Sequence, residues 1–414
     1  MASRIYQLQK KFNFCIFLIA ILPVCLLLPS GVINLVIILI SVLFLIEILL
    51  KKKIIFFHNY FFYLLIIFFF SLIFNILFNS GETLSFERQL GFFRFILFVF
   101  AIKYYLTFKR GIYFNLIIKS WVLVFFIVSF DILFEFIFGF DLIGNTSAMQ
   151  GRIASFLGEE LKIANYYNGF IFIAFSFILA KCRNEKFIIF LFLLFVIIAF
   201  LTGERSNYIK IFIGSLLYIL LLKEINLKTK FTSIIFLSLA IFSIIALSQD
   251  VKMRINQLVK PIYEMGFTKS ILTSHYGAHY HTAYMIYKKN KIFGIGLKNF
   301  RSESAKIEYK ENKNNIYKRD NWATHPHQVH LEFLSETGIF GYTFFLLFII
   351  FSLVQSIKNY YYSNNRYLLG SIIFFITSVL PILPTGSFFT TYTATIFWIN
   401  YALMISITKN NKNE

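Results

Sequence analysis

Three of the chain's seven histidines crowd into one short stretch, His325-Pro326-His327-Gln328-Val329-His330, with Glu332 and Glu336 just beyond. Imidazole changes charge near neutral pH, so this stretch can take up a proton or bind a metal. Pro326 suits the first turn of a helix, and Val329, Phe333 and Leu334 follow with helical period, which predicts a helix beginning at Pro326. His327 then sits at a helix N-terminus, whose partial positive charge disfavours imidazolium and leaves a neutral ring able to act as a general base. A metal centre of His325, His327, His330 and Glu332 fits less well, because this spacing does not put three rings on one helical face. The plainer alternative is a set of interfacial histidines at a helix end. Gly338 and Gly341 would let the backbone bend and pack closely downstream.

These side chains must be carried by membrane helices. The 414 residues are 58% hydrophobic and 14% charged, with mean hydropathy +0.71, more apolar than water-soluble surfaces allow. The net charge of +20 does not indicate nucleic acid as a partner. The Lys and Arg lie in short clusters between apolar runs, as at helix ends facing anionic headgroups. Cys15, Cys25 and Cys182 form neither a disulfide framework nor a CxxC metal motif.

Apolar stretches predict an all-α polytopic membrane protein of about twelve transmembrane helices. The spans fall near 12–29, 32–50, 54–78, 90–106, 111–138, 166–180, 187–202, 207–222, 231–248, 337–355, 366–384 and 388–408. Arg4, Lys10 and Lys11 ahead of the first span resemble a signal-peptide start, but a second span follows closely without a small-residue cleavage site, so the first helix is read as retained. Basic clusters at Lys51 to Lys53, Lys181 to Lys186 and Lys223 to Lys230 alternate with connections holding Arg88, Arg152 and Arg205 among acids. By the positive-inside rule both termini are cytoplasmic. The chain then divides into helices one to nine (1–248), a large outer loop (249–336) with the histidines, and helices ten to twelve with a tail (337–414). Within the loop, Val251 to Gly266 and Tyr280 to Lys291 read as helices on a membrane surface. The Lys/Asn-rich stretch from Glu303 to Asn321 reads as a flap. No Walker loop or dinucleotide fingerprint occurs.

His327-Gln328, nine intervening residues, then Gly338-x-x-Gly341 resembles the motif of the O-antigen ligase and O-antigen polymerase superfamily. Leu201-Thr202-Gly203-Glu204-Arg205-Ser206 is similar to that family's arginine segment, and Ile292 to Phe300 to its G-x-G-x-x-x-F segment. The resemblance implies a metal-independent glycosyltransferase of the bacterial inner membrane without a cofactor. Its donor would be a glycan on undecaprenyl diphosphate. Its acceptor would be a lipid A core sugar hydroxyl or, for a polymerase, a second lipid-linked glycan. His327 would be the base and Arg205 a bidentate diphosphate clamp. The family's further arginine before the G-x-G segment has no counterpart at Ser274-His275-Tyr276 or His279-Tyr280-His281. Arg301, His275 and His279 are the candidates to replace it, with Arg301 preferred because its charge does not depend on pH. Arg152 is a candidate sugar or phosphate contact, or a solvated loop charge. A secondary transporter or flippase is the competing class. The few isolated in-span charges, Arg94, Lys119, Asp131 and Glu135, favour transfer over transport.

Overall fold

The computed structural model describes residues 14–52, 54–79, 90–107, 110–158, 160–223, 225–306 and 322–407. The basic N-terminal start, most of the expected flap and the tail after Ile407 lie outside the described residues. Every regular element among the described residues is helical. The chain runs through α1 (Phe14–Ala20), α2 (Ser30–Leu50), α3 (Tyr60–Phe78), α4 (Arg94–Thr107), α5 (Arg110–Phe138), α6 (Ile163–Lys181), α7 (Glu185–Leu201) and α8 (Arg205–Leu221). It continues through α9 (Leu227–Leu247), α10 (Gln249–Met265), α11 (Phe267–Thr273), α12 (His275–Lys289), α13 (Val329–Ser363), α14 (Arg366–Ser378) and α15 (Thr391–Ser406). Among the described residues six helices are long and apolar enough to cross a membrane: α2, α3, residues 112–138 of α5, α6, α9 and α13. The other expected spans are shorter helices.

Polar caps punctuate this apolar chain. Asn59, Asn184, Asn226 and Asn365 each accept a hydrogen bond from a first-turn amide of α3, α7, α9 and α14, satisfying donors that the helix leaves open. Ser248 and Ser274 do the same for α10 and α12. The core forms around α15, buried along nearly its whole length. Trp398 packs with Phe69, Phe348 and Phe388 at centroid separations of 5.8 Å, and Phe333 stacks on Phe345 at 4.0 Å. In contrast, α9 buries only Ser233 and Leu237. Its Phe231, Phe242 and Leu247 are 67%, 70% and 84% exposed, a surface suited to lipid rather than water.

Two boundaries differ from expectation. The helix expected over 366–384 stops at Ser378, and residues 379–390 turn back irregularly. Pro381 and Pro384 lack amide donors and disfavour helix in the residues before them, and Gly386 follows. The helix expected from Pro326 starts instead at Val329, with Gln328 as its cap. His327 takes φ +58°, a left-handed conformation that cannot continue a right-handed helix.

Candidate functional site

The glycines expected to bend the backbone build the floor of the site. Gly338 has φ 64° and ψ −170°, which interrupts α13 in a region open essentially to glycine alone. The interruption frees backbone groups that pair with residues 291–296. Ile339 N–H donates to Lys291 O at 2.8 Å, Phe340 N–H to Ile292 O at 3.1 Å, Ile295 N–H to Ser335 O at 3.1 Å and Gly296 N–H to Glu336 O at 2.8 Å. The two strands of backbone lie so close that a Cβ at Gly294 would overlap the Glu336 backbone, and one at Gly338 would overlap Ile292. The G-x-G and G-x-x-G segments are therefore two halves of one knot. The buried Glu336 side chain tightens it, accepting from Lys298 N–H at 2.8 Å and Phe300 N–H at 3.3 Å. Gly341, one turn further, packs against Thr337, where a side chain would collide.

Three residues before Glu332, α13 starts, and it fixes the returning turn at 379–390. Buried Glu332 accepts from the Ser387 hydroxyl and from Phe388 N–H at 2.8 Å. His330 Nε2–H donates to Val379 O at 2.8 Å, and its Nδ1 faces the Tyr342 hydroxyl at 3.2 Å. Thr385 N–H donates to His327 O at 2.8 Å. His330 and Glu332 are thus committed to the turn, away from the other rings. Among the described residues no three His, Cys, Asp or Glu side chains are arranged to hold a metal ion.

Four other histidines, His275, His279, His325 and His327, cluster. His327 lies 4.0 Å from His325 and 5.4 Å from His279 between ring centroids, and His279 Nε2 is 3.4 Å from His275 Nε2. Burial is the first cause that lowers His327 from the ordinary 6.5 to about 3, and the like charges of His325, His279 and His275 push the same way. His325 falls to about 4, again chiefly through burial. His327 is therefore neutral at neutral pH, and the cause is desolvation and crowding rather than a helix N-terminus.

A cationic group lies beside this cluster. Gly203, at φ +72°, packs against the Gly151 carbonyl so closely that no Cβ fits, which holds the Arg152 loop against the Arg205 loop. Arg152 pairs with Glu204 and donates to Leu161 O at 2.7 Å. From α10, buried Arg254 donates through Nε to Gly203 O at 3.0 Å. Its guanidinium pKa is lowered first by burial and then by the charges of Arg205 and Arg152, so the three arginines share one locale. Tyr276 connects them to the base. Its ring lies 5.4 Å from that of His327, and its hydroxyl, raised by burial and Glu204, is pulled back by Arg205, Arg152 and Arg254.

Arg301 does not join this group. It is exposed, with its guanidinium 5.6 Å from the Trp322 ring centroid. His275 reaches the site through His279. Arg254 was missed because Val251 to Gly266 read as a surface helix; the usable signal was a single arginine among that helix's lysines. Glu204, Ser206, Tyr276, His325, His327 and the 384–387 turn share the walls of one cleft of about 470 Å³.

Residues 190–346 match the family model described as O-antigen ligase, so the likeness covers this stretch of the chain. The matched stretch runs from α7 into α13 and contains Arg205, Arg254, His275, His327, Gly338 and Gly341. No curated protein matches the chain.

Proposed function

We propose that this chain, whose residues 190–346 match the O-antigen ligase family model, moves a glycan from undecaprenyl diphosphate to a sugar hydroxyl of lipid A core. The carrying observation is the shared locale of a neutral histidine and three arginines, joined by Tyr276. The acceptor oxygen attacks the anomeric carbon of the donor, the bond from that carbon to the diphosphate oxygen breaks, and the hydroxyl proton passes to His327. Arg205, Arg152 and Arg254 hold the negative charge that grows on the departing diphosphate. The Arg152–Glu204 pair keeps part of that positive charge compensated until the donor enters. His275 and His279 both press on His327, and Arg301 has no part in the reaction. The reaction needs neither metal nor nucleotide sugar.

In this reading about twelve helices cross the bacterial inner membrane, both termini are cytoplasmic, and the large loop between the ninth and tenth spans lies in the periplasm, which the cleft faces. Alternation of basic and acidic connections supports that orientation. The test is reconstitution of the purified chain with a lipid-linked glycan and lipid A core. Glycan covalently joined to core is the expected product. Ladder growth on the carrier lipid would make the chain a polymerase, and glycan crossing the vesicle without covalent transfer would overturn the enzymatic reading.

A further inference from the structure

Apart from the arginines beside it, the cleft is lined by two lysines that the proposed chemistry does not use, Lys162 and Lys210, and Lys162 is paired with Glu160. Lys210 and Asn207 lie three apart on α8 and so share a face; both line the cleft. Lys210 is 8% exposed and Asn207 3%. Lys210 Nζ donates a hydrogen bond to Pro384 O at 3.3 Å; the Glu204 carboxylate across the cleft offsets part of its burial, but that carboxylate is already paired with Arg152. The Asn207 amide nitrogen and the Thr385 hydroxyl are buried without a partner. A buried ammonium carries a desolvation cost that only a counter-charge or several acceptors offset. Unfilled buried donors raise the cost further. The helical positions also separate this group from the diphosphate site, since Lys210 lies roughly 7.5 Å along the axis from Arg205 and about 140° around it.

A second, small chamber opens from the same place. It shares Lys210, Asn165 and Thr385 with the cleft and holds about 40 Å³. That is too little for a sugar ring but enough for one small substituent. Its walls include Val329, Phe374 and Phe397, and such apolar surroundings strengthen any charge pairing at its mouth.

We propose that Lys210, Asn207 and Thr385 form a subsite for the carboxylate of an acidic sugar, so that the enzyme selects a uronate-type residue in the glycan it handles. The inference rests on the glycan-transfer reading above. A carboxylate accepts from the ammonium, the amide and the hydroxyl at once, and uses the donors left open.

The test is direct binding by the full-length protein in nanodiscs, measured by ligand-observed NMR with methyl β-glucuronide against methyl β-glucoside. Wild type should bind the glucuronide about tenfold to a hundredfold more tightly, the span of hydrogen bonds to a charged group. Lys210→Met should abolish the preference while still binding inorganic pyrophosphate, which also shows that the variant is folded. Asn207→Leu, a second variant that leaves the charge in place, should reduce the preference in part. Equal binding of the two glycosides by wild type, or binding of neither, would overturn the subsite. Loss of pyrophosphate binding in a folded Lys210→Met protein would instead assign Lys210 to the diphosphate. A glucuronide preference in a protein that transfers no lipid-linked glycan would keep the subsite and sink the transfer reading.

Discussion

The sharpest prediction concerns the proton on His327. Burial and three neighbouring rings hold it to about 3. At pH 6 an ordinary histidine is mostly protonated, whereas this ring would carry a proton in about one molecule in a thousand. The expected titration is therefore featureless between pH 5 and 8. The assay is NMR of ring-labelled histidine in the nanodisc-bound protein, with the His327 signal assigned by its loss in His327→Gln. Inorganic pyrophosphate at the arginines should move the midpoint upward, because a nearby anion favours imidazolium. The base thus strengthens as the diphosphate charge is set beside it. Transfer by His327→Gln should fall about 10²–10⁴-fold, the usual range for losing a general base. Its pH profile should keep the wild-type shape over pH 5 to 8. A midpoint near 6.5 without ligand, or a rate rising through that pH in wild type but not in the variant, would refute the reasoning.

The same depression has a consequence for stability. A folded value of about 3 against 6.5 unfolded means that the unfolded chain binds more protons between those values. The stability that this group contributes is thus full above pH 6.5 and is lost as pH falls toward 3. His327→Gln should flatten part of that decline.

Arg205→Lys keeps the charge but loses the planar fork, so it should weaken pyrophosphate binding; Arg254→Ala should do the same and Arg301→Ala should not, measured by calorimetric titration. Gly338→Ala combines a strained positive φ, about 1–3 kcal/mol, with overlap on the Ile292 backbone. It should lower the unfolding temperature measurably in a detergent melt, and an unchanged melt would contradict the backbone knot. Chelation by EDTA should leave transfer intact in the reconstituted assay, and loss restored by added zinc would favour a metal site.

The all-helical character was legible because six apolar stretches are long enough to cross a membrane and helix ends carry Asn, Ser or basic residues, whose meaning is local. The His327, Gly338 and Gly341 motif was legible for a similar reason, since proline, histidine and glycine stand out against an apolar background. Contacts between distant segments were not. Nothing local says that Gly294 and Gly338 press together, or that Glu336 ties residues 298 and 300 to α13. Arg254 was hidden by its helix's amphipathic pattern, which reads the same whether its polar face meets headgroups or the Gly203 carbonyl. Arg301 drew notice through closeness in sequence to the G-x-G segment, but the one-turn helix Phe300–Glu303 that carries it leaves the side chain exposed beside Trp322.

Burial alone would make Glu332 a rival to His327 as the proton acceptor, and the hydrogen bonds argue against it. Both Glu332 oxygens are already engaged, one by the Ser387 hydroxyl and one by Phe388 N–H. Both Glu336 oxygens accept from loop amides. Protonating either carboxylate would exchange a charge-assisted bond for a weaker one and loosen the loop it holds. His327 has the opposite design. Its backbone carbonyl is tied to Thr385 N–H, its left-handed φ sets the direction of the side chain, and its ring lines the cleft. Helix α13 therefore separates two tasks along one sequence: its carboxylates shape the turn and the G-x-G loop, and the histidine just ahead of it is left to exchange the proton.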